Sequence, residues 1–443
     1  MPLGRGTSKL ARVLLLIGSL QAIVGCSGGG GQTDLADSGV DDTPFFVGDV
    51  ALTRPAGTAA ETEPTLARAK DGRLAATMIA YRAGNGSTIG VSYSTDGGAT
   101  FSIPSLFDPS ASGVDAFGNA VVAFDDAGTT LVAMMGFTLS STGAIATRRV
   151  FLASAPPGTS SFDAPVLVPF SGGELFKPWV IASTSGDVLV GAARGPSPYV
   201  IVVQRLRGGT FSEVSVPTDP SFRSEGHIYF CKEPSTGVIH LVNYVVDVKR
   251  KELAVLHRAY DGEAISPGVV RVSDPSHTVT DGPITCVASG DNVWVSYGVG
   301  TLPSNTDTLN ATTTNMYVAR SINRGVSFDS VVDAQATSGM TLAMLPTLIG
   351  GGGGLALFYY GAEQFDATGG LYVSWSSDEG ASFAPPLQLG AGRIPMKRVT
   401  RAFAGDYFHG AGSARGASVV YADNSGADAR VHYAGAAAPP VNK

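Results

Sequence analysis

Residues 94–101 read Ser-Thr-Asp-Gly-Gly-Ala-Thr-Phe, and this 443-residue chain repeats their pattern, S-x-[D/N]-x-G-x-[S/T]-F, at residues 321–328 and 376–383. Each copy follows an alternating segment such as Ile89 to Tyr93 and leads into another extended segment. An Asp or Asn that accepts backbone N–H bonds, a Gly at positive φ and a buried Phe together predict a β-hairpin turn. Three copies therefore predict a repeated all-β structure. The pattern is carried by Ser94, Asp96, Gly98, Thr100 and Phe101, by Ser321, Asn323, Gly325, Ser327 and Phe328, and by Ser376, Asp378, Gly380, Ser382 and Phe383.

The repeated turn resembles the Asp box, also called the BNR repeat, of the sialidase-like β-propeller superfamily. One match would be weak evidence, because S-x-D-x-G also describes many ordinary turns. Three matches at identical internal spacing make chance an unlikely source. The resemblance implies an all-β propeller, in which four-stranded blades are arranged around a central axis.

The number of blades follows from internal repetition of a strand and its turn. Seven such starts recur at intervals of about 50 to 60 residues, as four strands and their connections require. Seven blades are favoured, since six would leave one hairpin without a blade. The last unit lacks an outer strand, which residues 45–52 can supply, so that the N-terminal strand closes the ring and removes its open edges. The starts are Pro64, Ala120, Pro178, His227, Pro283, Pro346 and Tyr407.

Composition agrees with an exported all-β protein. The chain has 57 Gly and 26 Pro but only 15% charged residues, which favours strands and turns over amphipathic helices. Its net charge of −7 and its lack of a Lys/Arg run argue against a nucleic acid or an anionic membrane surface as partner. The six His residues show no zinc-binding spacing, and residues 350–354 lack the Gly-Lys-Ser/Thr ending of a phosphate loop. The sequence therefore predicts no cofactor or metal, with calcium as the alternative because carboxylate oxygens are abundant. The protein is expected to be a monomer.

The N-terminus reads as a targeting segment. Arg5, Lys9 and Arg12 form a basic region, and an apolar stretch leads to Ile-Val-Gly-Cys at residues 23–26, which resembles a bacterial lipobox. Cleavage before Cys26 would leave a lipidated cysteine that holds the protein on a membrane through acyl chains alone. A plain signal peptide is the alternative. Ser27, rather than Asp, favours the outer membrane if the cell is Gram-negative.

These features divide the chain into four parts. Residues 1–25 form the lipoprotein signal peptide, and residues 26–44 form a Gly-rich tether with too few apolar groups to pack. A single propeller domain is expected over residues 45–438, followed by a short tail at 439–443. The expected location is the bacterial cell envelope, with periplasmic and surface-exposed orientations both open.

Two cysteines remain after Cys26. Cys231 and Cys286 occupy similar positions in the predicted inner strands of adjacent units. An oxidising compartment permits a disulfide between them, and neighbouring inner strands could bring them within reach. The alternative is a pair of buried thiols that act as small apolar residues.

Function is expected at the mouth of the propeller, where the loops that enter the innermost strands converge. Polar residues stand just ahead of most inner strands, and a ring of such groups could bind a glycan or another envelope or extracellular macromolecule. The alternative is that these residues are solvated strand ends and turn caps. The candidate binding residues are Glu61, Lys177, Glu225, His227, Asp281 and Asp406.

The resemblance also implies a possible exo-sialidase, in which three arginines hold the sugar carboxylate, a tyrosine activated by a glutamate attacks, and an aspartate supplies a proton. The R-x-P motif of that family is replaced ahead of the first turn by Thr-Arg-Pro at residues 53–55. Binding is therefore the favoured function, with exo-sialidase or a related glycosidase as the alternative. A third class is a structural envelope component whose mouth is filled by apolar side chains. The candidate catalytic residues are Tyr407, Glu63, Asp115, Arg82 and Arg194.

Overall fold

The structure is a seven-bladed β-propeller, in which each blade is an antiparallel sheet of four strands. This confirms the predicted fold class and blade number, and six blades are excluded. Within the described residues, no helix has the length and apolar character needed to cross a membrane. The computed structural model describes residues 44–82, 86–196, 199–280, 284–301, 313–335, 340, 342–362, 368–395, 408–423 and 429–439.

The first four blades follow one another along the chain. Blade 1 contains β2 Thr58–Arg68, β3 Leu74–Arg82, β4 Gly86–Ser94 and β5 Ser105–Leu106. Blade 2 follows a 3-10 turn at Ser110–Ser112 and contains β6 Ala116–Phe124, β7 Thr130–Leu139, β8 Ile145–Ala155 and β9 Val166–Leu167. Blade 3 contains β10 Glu174–Ala182, β11 Val188–Gly195, β12 Val200–Arg207 and β13 Thr210–Val214. Blade 4 contains β14 Phe222–Lys232, β15 Ile239–Asp247, β16 Glu252–Tyr260 and β17 Val270–Arg271.

The remaining blades complete the ring. Blade 5 contains β18 Thr285–Ser289, β19 Asn292–Thr301, β20 Thr313–Ser321 and β21 Ser330–Asp333. Blade 6 contains β22 Leu342–Gly351, β23 Gly354–Ala362, β24 Thr368–Ser376 and β25 Leu387–Pro395. Blade 7 contains β26 His409–Ser413, β27 Gly416–Asp423, β28 Arg430–Ala437 and, as its outermost strand, β1 Gly48–Ala51.

The N-terminal strand closes the ring, as predicted. β1 pairs antiparallel with β28, so that Gly48 lies opposite Gly435 and Ala51 lies opposite His432. The Asp49 carboxylate holds this joint, because it accepts hydrogen bonds from Tyr421 Oη at 2.7 Å and from His432 Nδ1 at 3.0 Å. The closing strand therefore has side-chain as well as backbone contacts with blade 7.

The first strand of each blade contacts the first strands of both neighbouring blades, so these seven strands surround the axis. We call the end at which they begin the mouth. The third strands run in the same direction, and the turns of residues 94–101, 321–328 and 376–383 follow them at the opposite end. We call this the Asp-box end, after the family motif that these turns resemble.

The three turns at the Asp-box end share one set of hydrogen bonds. In the first, Asp96 Oδ1 accepts from the backbone N–H of Thr100 at 2.9 Å, and Ser94 Oγ accepts from that of Gly98 at 2.9 Å. The second and third turns repeat both bonds at 2.8 to 3.0 Å. Phe101 and Phe383 are buried, and Phe328 packs half-buried against the core.

The axis is closed by side chains from blades that are not neighbours. The ring centroids of Trp179 in blade 3 and His409 in blade 7 are 6.2 Å apart, and Tyr229 in blade 4 packs on Trp179 at 5.0 Å. Nearer the Asp-box end, Lys232 Nζ of blade 4 lies 3.2 Å from Asp126 Oδ1 of blade 2.

Cys231 and Cys286 form a disulfide between β14 and β18, with their Cα atoms 5.6 Å apart. The bond joins the innermost strands of blades 4 and 5. It adds a covalent link to an interface that also has apolar packing and a hydrogen bond from the backbone N–H of Gly290 to Glu233 Oε1 at 3.0 Å.

Candidate functional site

Five of the innermost strands carry a break in register near the mouth. These breaks fall at residues 62–65 of β2, 118–121 of β6, 176–179 of β10, 224–228 of β14 and 344–347 of β22. A β-bulge of this kind bends a strand and re-aims its side chains. The same feature recurs in five blades, so it belongs to the architecture of the mouth.

Each break contains a residue in the left-handed backbone region. Four of these residues are not glycine, although left-handed φ costs about 1 kcal/mol for a residue with a Cβ. Such outliers cluster at functional sites, where the surrounding fold holds them in place. We call this set the bulge ring: Glu63 with φ 50°, Asn119 with φ 44°, Lys177 with φ 48°, Gly226 with φ 96° and Leu345 with φ 57°.

Three successive blades contribute three different polar groups to the bulge ring. Asn119 Nδ2 donates to Glu63 Oε2 at 2.5 Å, which joins an amide of blade 2 to a carboxylate of blade 1. Lys177 adds an ammonium group from blade 3. All three side chains are buried, with exposed fractions of 4, 8 and 9% for Glu63, Asn119 and Lys177. The ring therefore combines an anionic hydrogen-bond acceptor, a cationic donor and a neutral amide.

Trp179 lies two residues beyond Lys177 on β10 and forms the floor beneath the ring. Its indole Nε1 is buried and has no hydrogen-bond partner among the residues that the structure describes. A buried donor of this kind is normally satisfied by protein, water or a ligand. The floor thus contains one buried N–H group without a hydrogen-bond partner among the described residues.

Glu61 lies at the boundary between blades 1 and 7. It is fully buried, and its Oε2 accepts from the backbone N–H of Val431 at 3.3 Å and lies 4.0 Å from Arg54 Nε. Burial raises the pKa of Glu61 above its ordinary value, against the lowering effect of the Val431 hydrogen bond and the Arg54 charge. These contacts place its carboxylate within an interface between blades.

His227 follows Gly226 of the bulge ring and is also buried. Its ring meets that of Tyr244 edge to face, with centroids 6.4 Å apart. The two side chains form part of the packing beneath the mouth in blade 4.

Three candidate catalytic residues have local partners. Asp115 is exposed, and its Oδ2 accepts from the backbone N–H of Leu139 at 2.6 Å, which makes it a strand-end cap. Arg194 donates from Nη1 to the Ser171 carbonyl at 2.6 Å. Arg82 ends β3 and contributes, after the hydrogen bonds of Ser110, to the lowered pKa of Asp108. No hydrogen bond or ion pair joins Arg82, Asp115 and Arg194 to one another in the described part of the chain.

Several predicted residues cannot be placed. Tyr407, Asp406 and Asp281 lie outside the described residues, as does Cys26. Glu225 lies in β14, but its side chain is outside the described set. In the described portion, no group of three or more His, Cys, Asp or Glu side chains is arranged to hold a metal ion.

Asn119, Trp179 and His409 contribute to the site without having been singled out from the sequence. A signal for the bulge ring is nevertheless present, because Glu63, Lys177 and Leu345 each precede a proline. Proline cannot donate to a strand ladder, so within a sheet it occurs at edges and bulges. An X-Pro pair at the start of an inner strand could therefore have marked these positions.

Comparison with known proteins supports the fold. No protein-family model matches the chain, and no curated protein matches it. A polysaccharide lyase of family PL25, an ulvan lyase, aligns with a TM-score of 0.53 at 12% identity, over 88% of this chain and 95% of the lyase. The α-L-arabinanase of Penicillium chrysogenum aligns with a TM-score of 0.50 at 14% identity, over 89% and 99% of the two chains. At these identities the likeness shows a shared propeller fold alone.

Proposed function

We propose that this protein is a lipid-anchored envelope protein with a sialidase-like propeller, and that its mouth binds a glycan or another envelope or extracellular macromolecule. The observation that carries this proposal is the bulge ring. Glu63 and Lys177 keep left-handed backbone conformations that glycine would adopt at lower free energy. We take the carboxylate and the ammonium group at these positions as the recognition groups, and Glu63 also joins blades 1 and 2 through Asn119.

The chemistry of the ring suits a ligand rich in hydroxyl groups. A sugar hydroxyl both donates and accepts hydrogen bonds, and Glu63, Asn119 and Lys177 together offer acceptors and donors. Beneath the ring, the indole N–H of the buried Trp179 has no hydrogen-bond partner among the described residues. Ligand sites typically combine such an apolar surface with a few placed polar groups.

The direction of the N-terminal chain is consistent with anchoring. Pro44 lies at the Asp-box end, where its carbonyl accepts a hydrogen bond from Arg68 Nη2 at 3.1 Å. Pro44, the last residue of the proposed tether of residues 26–44, therefore lies at the end of the propeller opposite the mouth. The similar structures of an ulvan lyase and an arabinanase add support for a glycan as ligand.

A glycan array probed with the mature chain tests this proposal. Wild type is expected to bind at least one glycan, and Glu63→Gln and Lys177→Gln should weaken that binding by about 10-fold or more, as expected for loss of a charged hydrogen-bonding group. Arg415→Gln, an exposed residue at the Asp-box end, provides the control with a similar loss of charge. Equal binding by wild type and the three variants would show that the bulge ring does not bind the glycan.

Exo-sialidase activity is the alternative to be tested on the same preparations. Release of fluorophore from a 4-methylumbelliferyl sialoside, abolished by Tyr407→Phe, would establish catalysis. The binding proposal expects no turnover from a folded wild-type protein.

A further inference from the structure

A cavity of about 270 Å³ lies between blades 2 and 3 at the mouth end. Residues 146–149 of β8 form one side, and the segment from Leu167 to Leu175 forms the other. The cavity exists because β9 pairs only with Phe151 and Leu152, which leaves the mouth-side edge of β8 without a fourth strand. Backbone groups on that free edge are available to a ligand.

Arg148 and Glu174 of the lining form an ion pair whose charges cancel. The exposed Arg149 also borders the cavity, but side chains alternate along a strand, so its guanidinium points to the face of β8 opposite to that of Arg148. Arg148 is buried, forms an ion pair with Glu174, and places its guanidinium 4.6 Å from the centroid of the Phe176 ring. The apolar part of the lining includes Leu167 and Phe170. A neutral, partly apolar site with hydrogen-bonding backbone groups suits an uncharged sugar ring better than an anion.

The wall that faces β8 is held in place by blade 3. Arg194 Nη1 donates to the Ser171 carbonyl at 2.6 Å, and Gln204 Nε2 donates to the Pro169 carbonyl at 3.3 Å. Gly172 and Gly173, both at positive φ, carry no side chain into the space. A preformed wall avoids the entropy loss of ordering a loop on binding.

The cavity and the bulge ring are connected through one strand. Glu174 lines the cavity and precedes Lys177 by three residues on β10, which corresponds to about 10 Å along an extended strand. A single sugar residue cannot reach both places, whereas an oligosaccharide can. The geometry points to a ligand that extends outward from the axis between blades 2 and 3.

We propose that this cavity is an off-axis subsite for an uncharged sugar residue of an oligosaccharide whose other end occupies the bulge ring. The inference rests on the proposed glycan-binding function. It goes further by making the ligand an extended saccharide chain, with a second recognition point remote from the axis.

The test compares short and long ligands on the full chain in detergent. The probes are matched di- and hexasaccharides of arabinan, chitin and unsulfated chondroitin, each of which contains uncharged sugar residues. Ala146→Trp fills the cavity from an exposed position on its lining, and Phe170→Ala removes an aromatic wall. Ala381→Trp is the control, because the equivalent position of the second Asp-box turn already holds the exposed Val326.

Wild type is expected to bind the hexasaccharide of at least one series about 10-fold more tightly than its disaccharide. Ala146→Trp should abolish this gain while leaving disaccharide affinity within about 2-fold of wild type, and Phe170→Ala should reduce it. Ala381→Trp should leave both affinities unchanged. If Ala146→Trp still binds the hexasaccharide more tightly than the disaccharide by the wild-type factor, the off-axis subsite is overturned.

Two further outcomes separate this inference from the function on which it rests. Disaccharide binding without any gain for the hexasaccharide overturns the off-axis subsite and leaves glycan binding at the mouth intact. Absence of binding to every probe and to the glycan array, by a protein shown to be folded by circular dichroism, overturns both the subsite and the proposal of a glycan as the ligand of the mouth.

Discussion

The two ends of the propeller use the same unfavourable backbone conformation in different ways. At the Asp-box end, the residue before the pattern glycine has positive φ in all three turns: Gly97, Arg324 and Glu379. At the mouth, the bulge ring has positive φ at Glu63, Asn119, Lys177, Gly226 and Leu345. Side chains vary in both sets, but Arg324 and Glu379 are exposed, whereas Glu63, Asn119 and Lys177 are buried. The constant hydrogen bonds indicate a structural role for the Asp-box turns, and the buried polar side chains are the reason for proposing recognition at the mouth.

The Asp-box glycines show why that end tolerates little change. Each packs against a ring of the preceding blade, Gly98 on Tyr433, Gly325 on His257 and Gly380 on Trp294. The turn carbonyls accept from two of these rings, since Tyr433 Oη donates to Gly97 at 2.9 Å and Trp294 Nε1 donates to Glu379 at 2.7 Å. The turns therefore join neighbouring blades as well as neighbouring strands.

Loss of the disulfide should cause the largest decrease in the free energy of unfolding and should leave glycan binding at the mouth unchanged. Closing a loop across the 55-residue separation of Cys231 and Cys286 restricts the unfolded chain, which corresponds to about 4 kcal/mol in the chain-entropy model. A Cys231→Ala/Cys286→Ala variant should lose about that free energy of unfolding in urea titrations. Glycan affinity of the folded fraction should be unchanged, and a parallel loss of affinity would show that the two regions are coupled.

Substitution at an Asp-box glycine should cause the next largest decrease in the free energy of unfolding. A Cβ at Gly325 would lie 2.1 Å from His257 Cε1 at φ 82°, so that Gly325→Ala combines steric overlap with backbone strain. We expect a loss of about 3 kcal/mol in the free energy of unfolding. Gly158→Ala is the matched control, because its φ is 74° but nothing lies within 4 Å of its Cβ, so it should lose about 1 kcal/mol. Similar losses in the two variants would contradict the packing argument.

The buried histidines beside this turn should make the protein sensitive to acid. His240 Nδ1 lies 2.9 Å from His257 Nε2, and burial lowers the pKa of His240 to about 4 and that of His257 to about 3. Both are neutral in the fold but gain protons when unfolded below about pH 6.5, so stability falls as pH decreases from there toward the folded pKa values. Each should contribute a loss of about 2 kcal/mol between pH 6.5 and 4.5.

Urea titrations at pH 6.5, 5.5 and 4.5 measure this loss, and a His240→Gln/His257→Gln variant serves as the control. Its stability should depend less on pH than that of wild type. An unchanged pH dependence in this variant would assign the acid sensitivity to other groups.

Glycine substitutions at the two ends should differ in their effect on glycan binding. Lys177→Gly and Arg324→Gly each relieve a left-handed conformation and should change the free energy of unfolding by about 1 kcal/mol or less, since relief of strain offsets lost side-chain contacts. Glycan-array binding should fall only in Lys177→Gly. Loss of several kcal/mol in Lys177→Gly would show instead that the bulge ring is structural.

Much of the fold could be predicted because its determinants are local. The Asp-box bonds join residues four positions apart, so the eight-residue pattern contains every partner. The closing strand was also predictable, since residues 45–52 complete a unit that otherwise lacks its fourth strand, and β1 occupies residues 48–51. The bulge ring was predicted only in part: Lys177 and Glu63 were candidates, while Asn119 was not.

The remaining features depend on residues distant in the chain. Glu63 and Asn119 are 56 residues apart, and their hydrogen bond exists only because neighbouring blades place two bulges side by side. Asp115 stands before its inner strand like the other candidates, yet its carboxylate caps the end of β7. Local sequence cannot distinguish a side chain that points to the axis from one that caps a strand, because bulge geometry sets that direction.

By itself, the sequence determined the repeated hairpin turns, the seven blades and the source of the closing strand, because period, turn chemistry and spacing are properties of neighbouring residues. Only the tertiary structure decided that Trp179 meets His409 across the axis and that the edge of β8 borders a cavity. Both depend on how seven sheets curve around one axis. The physical reason is that a turn is stabilised by groups a few residues apart, whereas a binding site is assembled from groups that folding alone brings together.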